Sequence, residues 1–109
     1  LQAVRDPLSL VARRQGNMLT VVARGELDGA GAPGLAEAVD DALAHGVVDV
    51  VMDCRDLASA DTEGVAALIG IRRQLEEHGG TLILFGPGEP VRHALEVTGV
   101  ETAFFVVGE

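Results

Sequence analysis

The densest apolar run in the chain is Val47, Val48, Val50, Val51 and Met52. It gives way to polar residues and then to a second apolar pattern of different period. The run is mostly β-branched and too short for a long helix, so it predicts a buried strand. From Val65 onward apolar positions recur at helical spacing. Val65, Leu68, Ile69 and Leu75 form a stripe with Arg72 along it, while Arg73, Glu76 and Glu77 fall on other faces. A loop joins the two patterns and ends in Asp61-Thr62-Glu63-Gly64, at a helix N-terminus just beyond the carboxyl end of a core strand. In open α/β sheets functional groups collect there.

The same reading extends to both sides. Residues 8–14 and 18–24 are extended runs joined by Gln15-Gly16-Asn17, a turn composition that predicts a hairpin. Leu8, Leu10 and Ala12 alternate with Ser9, Val11 and Arg13, as on a half-exposed strand. Residues 25–34 read as a glycine-rich loop. Leu35, Ala38, Val39, Ala42 and Leu43 then mark a helical face, with Glu37, Asp40 and Asp41 outside it and Gly46 as its left-handed stop. Residues 81–85 form a second buried strand, and Pro90 opens a short helix over 91–98 that Gly99 ends. Residues 103–107 make a last strand. The expected architecture is one α/β domain: a single layer of mixed sheet, an N-terminal hairpin plus parallel strands, covered by α-helices. There is no internal repeat and no linker.

Composition narrows the function. In 109 residues there is room for one core but not two. Apolar residues make up 48% with three Phe and no Trp or Tyr, so that core is aliphatic. Eight Arg and no Lys stand against 17 acidic residues, a formal charge of −9. Such a surface disfavours direct contact with nucleic acid or anionic membranes, and no run is long enough to span a bilayer. The single cysteine, Cys54, cannot form an internal disulfide and reads as an inert, half-buried thiol in a reducing compartment such as the cytoplasm. A chain starting at Leu1 rather than Met reads as trimmed or as part of a longer protein.

Local chemistry leaves several readings open. Asp61 or Thr62 suits helix capping, and Glu63 suits the positive end of the helix dipole. Thr62 also suits a regulated hydroxyl, a reading compatible with the cap. Phosphate there would add about two negative charges between two acids, repelling a surface built for a neutral group. Gly29-Ala30-Gly31-Ala32-Pro33-Gly34 spells a dinucleotide fingerprint, with Asp53 in the place of a ribose-binding acid. Against it, Gly25 to Asp28 loosens the strand-to-helix turn, Asp28 adds negative charge beside the phosphate site, and the chain lacks a second mononucleotide half. A flexible loop and helix start is the other reading. His45 and His78 precede glycines at helix ends, where imidazole complements the dipole, and His93 sits in a short helix remote in sequence from any hydroxyl–carboxylate pair. No zinc spacing and no Lys-based chemistry is present, and no cofactor, metal or catalytic group is expected.

Gly25-Glu26-Leu27-Asp28, then a helix, a strand, Asp61-Thr62-Glu63-Gly64-Val65, and Gly79-Gly80-Thr81-Leu82-Ile83-Leu84 before residues 91–99 resemble the STAS family. The likeness spans nearly the whole chain and is greatest to bacterial anti-sigma factor antagonists. That resemblance implies a protein-binding module, not an enzyme. It captures an anti-sigma factor of the serine/threonine kinase type and so frees a sigma factor. Asp61 and Gly64 match the family pattern, Thr62 takes the phosphoacceptor place, and Glu63 stands where the pattern has a second hydroxyl. The resemblance also implies a helix beyond residue 109.

Chain order places a partner-docking face on residues 28–34, 57–63 and the first turn that follows. Its candidates are Asp28 as a polar contact, Leu57 as an apolar contact or else a core residue, Ser59, Asp61, Glu63, and Gly64 for close approach. Two other functions stay open: a STAS domain of a larger signalling or transporter assembly with a different partner, and a small nucleotide-binding domain. Neither the partner's identity nor an oligomeric state is legible.

Overall fold

The computed structural model describes residues 6–100 and 103–108. Its first two strands, β1 (Ser9–Gln15) and β2 (Met18–Leu27), form the expected hairpin, turning through Gly16 at φ +61°. There follow α1 (Ala32–Ala44), β3 (Asp49–Ala60), α2 (Thr62–Glu77), β4 (Thr81–Phe85), α3 (Glu89–Val97) and β5 (Phe105–Val107). The sheet order is β1-β2-β3-β4-β5, with every pairing after the hairpin parallel. The mixed sheet with helical cover is thus the observed fold.

Right-handed crossovers that all step in one direction bring all three helices to the same side of the sheet. Burial agrees. Alternate strand residues such as Val21, Met52 and Leu84 join Leu35 and Val39 of α1, Val65 and Leu75 of α2 and Leu95 of α3 in a single cluster. Each fully buried Leu or Val there stabilises the fold by roughly 1.5–3 kcal/mol. On the opposite face Val22, Val51 and Ile83 are half-buried, while Val11 and Phe105 stay 64% and 61% exposed.

Both central strands run further than the apolar pattern suggests. Gly25, Glu26 and Leu27 belong to β2 rather than to a loop, and β3 continues to Ala60 without one. The cause is mutual pairing: Arg24 lies opposite Asp56, Gly25 opposite Leu57 and Leu27 opposite Ala60. Two register shifts occur in this stretch, each adding a residue to β3. The first breaks the strand's parity. Val50, Met52 and Cys54 point inward in strict alternation, and the extra residue then turns Leu57 inward as well.

The helix ends follow local chemistry. Gly46, Gly79 and Gly99 adopt φ of +90°, +80° and +72° after α1, α2 and α3, and Pro90 lies in the first turn of α3. His45 and His78 close α1 and α2, each Nδ1 donating to a last-turn carbonyl, Asp41 at 2.8 Å and Gln74 at 2.9 Å. On α2 the buried stripe is Val65, Leu68, Ile71 and Leu75, with Ile69 only packed against it. Arg72 lies along that stripe as anticipated. Its guanidinium is 6.0 Å from the Phe104 ring and bonds Glu76 at 3.1 Å. Phe104 is buried just ahead of β5, which is shorter than the 103–107 run. No helix among the described residues is long and apolar enough to cross a membrane. The helix expected beyond residue 109 lies outside the described residues.

Candidate functional site

Because β2 and β3 are parallel neighbours, the turns after them open at one edge of the sheet. The first turn is built by Asp28. Its Oδ1 accepts from the amides of Ala30 (3.1 Å) and Gly31 (2.9 Å), while its carbonyl accepts from Gly31 and Ala32. The side chain is only 8% exposed. Asp28 is therefore a turn-forming residue with little surface of its own. A cavity of about 230 Å³ adjoins it, lined also by Pro7, Leu8, Ala30 and Gly31.

The second turn is built by Asp61. Its amide donates to the Leu27 carbonyl at 3.1 Å, joining the ends of the two strands. Its Oδ1 accepts from the Gly64 amide at 2.8 Å, which makes Asp61 the N-cap of α2. Gly64 is buried against β2: a Cβ there would fall on the Leu27 carbonyl oxygen, with the carbonyl carbon 2.9 Å away. Close approach is the role expected of this glycine, though its neighbour is the protein's own backbone. Glu63 reaches across to the first turn, where a Cβ on Gly29 would overlap its carboxylate. The two turns are thus one surface.

Thr62 is the first residue of α2 and is exposed, as are Asp61 and Glu63. Asp61 does the capping, so the Thr62 hydroxyl has no hydrogen bond among the described residues. Ser59 is half-buried within β3, opposite Glu26. Leu57 is 5% exposed and lies in the core, the alternative role considered for it, so it offers a partner no apolar contact. Thr81 is held at the other end of the sheet, where its hydroxyl donates to Asp49 at 3.1 Å.

Sequence reasoning missed His93. A cavity of about 230 Å³ between the start of α2 and α3 is lined by Asp61, Thr62, Pro90, His93, Val97 and Thr98 among others. The residue judged remote from any hydroxyl–carboxylate pair in fact shares a groove with one. The helical period of residues 91–98 alone could not disclose which end of the sheet α3 would meet.

The nucleotide fingerprint does not assemble. The Ala30 and Gly31 amides that would meet a pyrophosphate are already taken by Asp28. Asp53 lies mid-strand rather than at the strand's end, and its carboxylate is bonded by Arg55 at 2.7 and 3.0 Å. That side-chain pairing, ahead of the opposing effect of burial, holds Asp53 below the usual carboxylate range. Cys54 is fully buried, and desolvation, with the Asp53 charge beside it, pushes its thiol up to about 12. It is inert at neutral pH.

The family model for the STAS domain matches residues 9–107. The chain belongs to the STAS domain family. A comparison with curated protein sequences returned no match. Among solved structures, this STAS domain is similar to the anti-sigma factor antagonist SpoIIAA in its unphosphorylated form. The TM-score is 0.81 at 20% identity, covering 93% of this chain and 88% of that one. An anti-sigma factor antagonist from Mycobacterium paratuberculosis gives a TM-score of 0.80 at 20% identity, over 96% and 89% of the two chains. The Bacillus cell fate determinant SpoIIAA in its phosphorylated form gives 0.75 at 19% identity, over 93% and 91%. At these identities the likeness is one of fold.

Proposed function

We propose that this STAS domain is an anti-sigma factor antagonist: unmodified, it binds an anti-sigma factor of the serine/threonine kinase type, and phosphate on Thr62 ends that binding. One observation carries the reading. At the start of α2 the capping is done by Asp61, leaving an exposed Thr62 hydroxyl with no structural task on a surface already fixed by its neighbours.

The docking surface is the joined edge of the two turns, with Asp61, Thr62 and Glu63 outermost and Asp28, Gly64 and Leu57 supporting it from within. Phosphorylation moves the γ-phosphoryl group of ATP to Thr62 Oγ1; the hydroxyl proton leaves and ADP departs. About two added charges then lie between two carboxylates. A partner covering them must bury unpaired charge, which costs several kcal/mol. A loss of 2.8 kcal/mol, about a hundredfold in affinity, suffices for a switch. The fold tolerates the group, because it sits exposed at the positive end of the α2 dipole.

The test is incubation with the cognate kinase and ATP, site mapping by mass spectrometry, and partner affinity before and after. Phosphate on Thr62 with about a hundredfold affinity loss is expected. Stoichiometric phosphate elsewhere, or unchanged affinity, refutes the switch. If no phosphate appears, Glu63→Ser should restore modification.

A further inference from the structure

The three histidines differ in their engagement. His45 and His78 are tied to carbonyls of their own helices. The exposed imidazole of His93 has no hydrogen bond or ion pair among the described residues, and it lines the groove that Thr62 lines from the other side. Of the described residues around that groove, His93 alone can carry positive charge. A cavity of about 230 Å³ has room for several waters at about 30 Å³ each, enough for a phosphoryl group.

We infer that His93 is the intramolecular receiver of phosphate on Thr62: its ring N–H donates to a phosphate oxygen and ties the start of α2 to α3. Modification is then displayed on two helices. The charge appears at the edge of the sheet, and the groove beside α3, which an unmodified domain leaves open to a partner side chain, is filled. Acidic groups surround His93. Asp61 faces it from α2, and Glu89 and Glu96 lie one turn away on α3. Arg92, its chain neighbour, is turned aside, with Nε donating to the Pro87 carbonyl at 2.9 Å. Ala60, contributed by β3, carries no charge. An imidazolium facing a phosphate dianion makes a charge-assisted hydrogen bond.

This inference rests on Thr62 carrying phosphate, but its test needs neither kinase nor partner. The full chain is made by ligation with phosphothreonine at position 62, and the ring resonances of all three histidines are followed by NMR through their titration, alongside the unmodified protein. His93 should hold its proton to higher pH in the phosphorylated protein by roughly half a unit or more, about threefold in proton affinity. His45 and His78 should be unmoved. The phosphorus signal should ionise at lower pH in the wild type than in a phosphorylated His93→Gln protein. Superimposed His93 curves, or a phosphorus titration indifferent to His93→Gln, overturn the inference. Failure of a kinase to modify Thr62 would instead count against the proposed switch and leave this result standing.

Discussion

Asp28 and Asp61 occupy equivalent places, each after a parallel strand and before the helix that follows. The Asp28 carboxylate accepts amides of the turn ahead of α1, and that of Asp61 accepts one from the first turn of α2. They differ in depth. Asp28 accepts two amides while 8% exposed; Asp61 accepts one from the surface. Burial makes the first turn a fixture of the fold. The second turn, anchored by Leu27 and Gly64 beneath it, leaves its outer residues Asp61, Thr62 and Glu63 exposed. The same chemistry thus builds a floor in one place and an exposed rim in the other.

The largest effect should come from what holds the two turns together. Gly64→Ala sets a methyl on the Leu27 carbonyl and should cost roughly 3 kcal/mol by chemical denaturation. Gly70→Ala, on the same helix with nothing near its added carbon, should stabilise by roughly 0.5–1 kcal/mol. If both changes have the same sign, the junction is not tight. Next, Asp28→Ala should cost about 2 kcal/mol by removing a buried carboxylate that holds two part-buried amides, whereas Asp61→Ala should cost about 1 kcal/mol, as lost caps do. Equal losses would erase the distinction between them. Smallest of all, Thr62→Ala should move stability by no more than about 0.5 kcal/mol in thermal or denaturant melts. A larger loss would mean that the hydroxyl has a structural task after all.

Much of this was legible in the chain. The hairpin, the helix-terminating glycines and a cap at Asp61 or Thr62 follow from local composition, and the structure selects Asp61 for the cap. Leu57 was not legible: its inward orientation depends on an extra residue in β3 that only pairing with β2 reveals. Asp28 reads as a polar contact because its bonds to the amides two and three residues on, Ala30 and Gly31, exist only in the folded turn. The end of β3 reads as loop because Arg55, Asp56 and Ala58 are exposed and break the apolar run. His93 comes to share a groove with Thr62 through the placement of α3, a relation no sequence window contains.

The strand order has a consequence for how the molecule is made. Each new strand is laid against the outer edge of the one synthesised just before it, and no later segment has to be inserted between earlier ones. A chain emerging from the ribosome at about 5–20 residues per second can therefore add to its sheet in order of synthesis. The hairpin offers β2 as a template, and β3 docks once it is clear of the exit. Thr62 leaves the ribosome directly behind β3, so its turn can close as soon as its two strands have paired, before β4 has emerged.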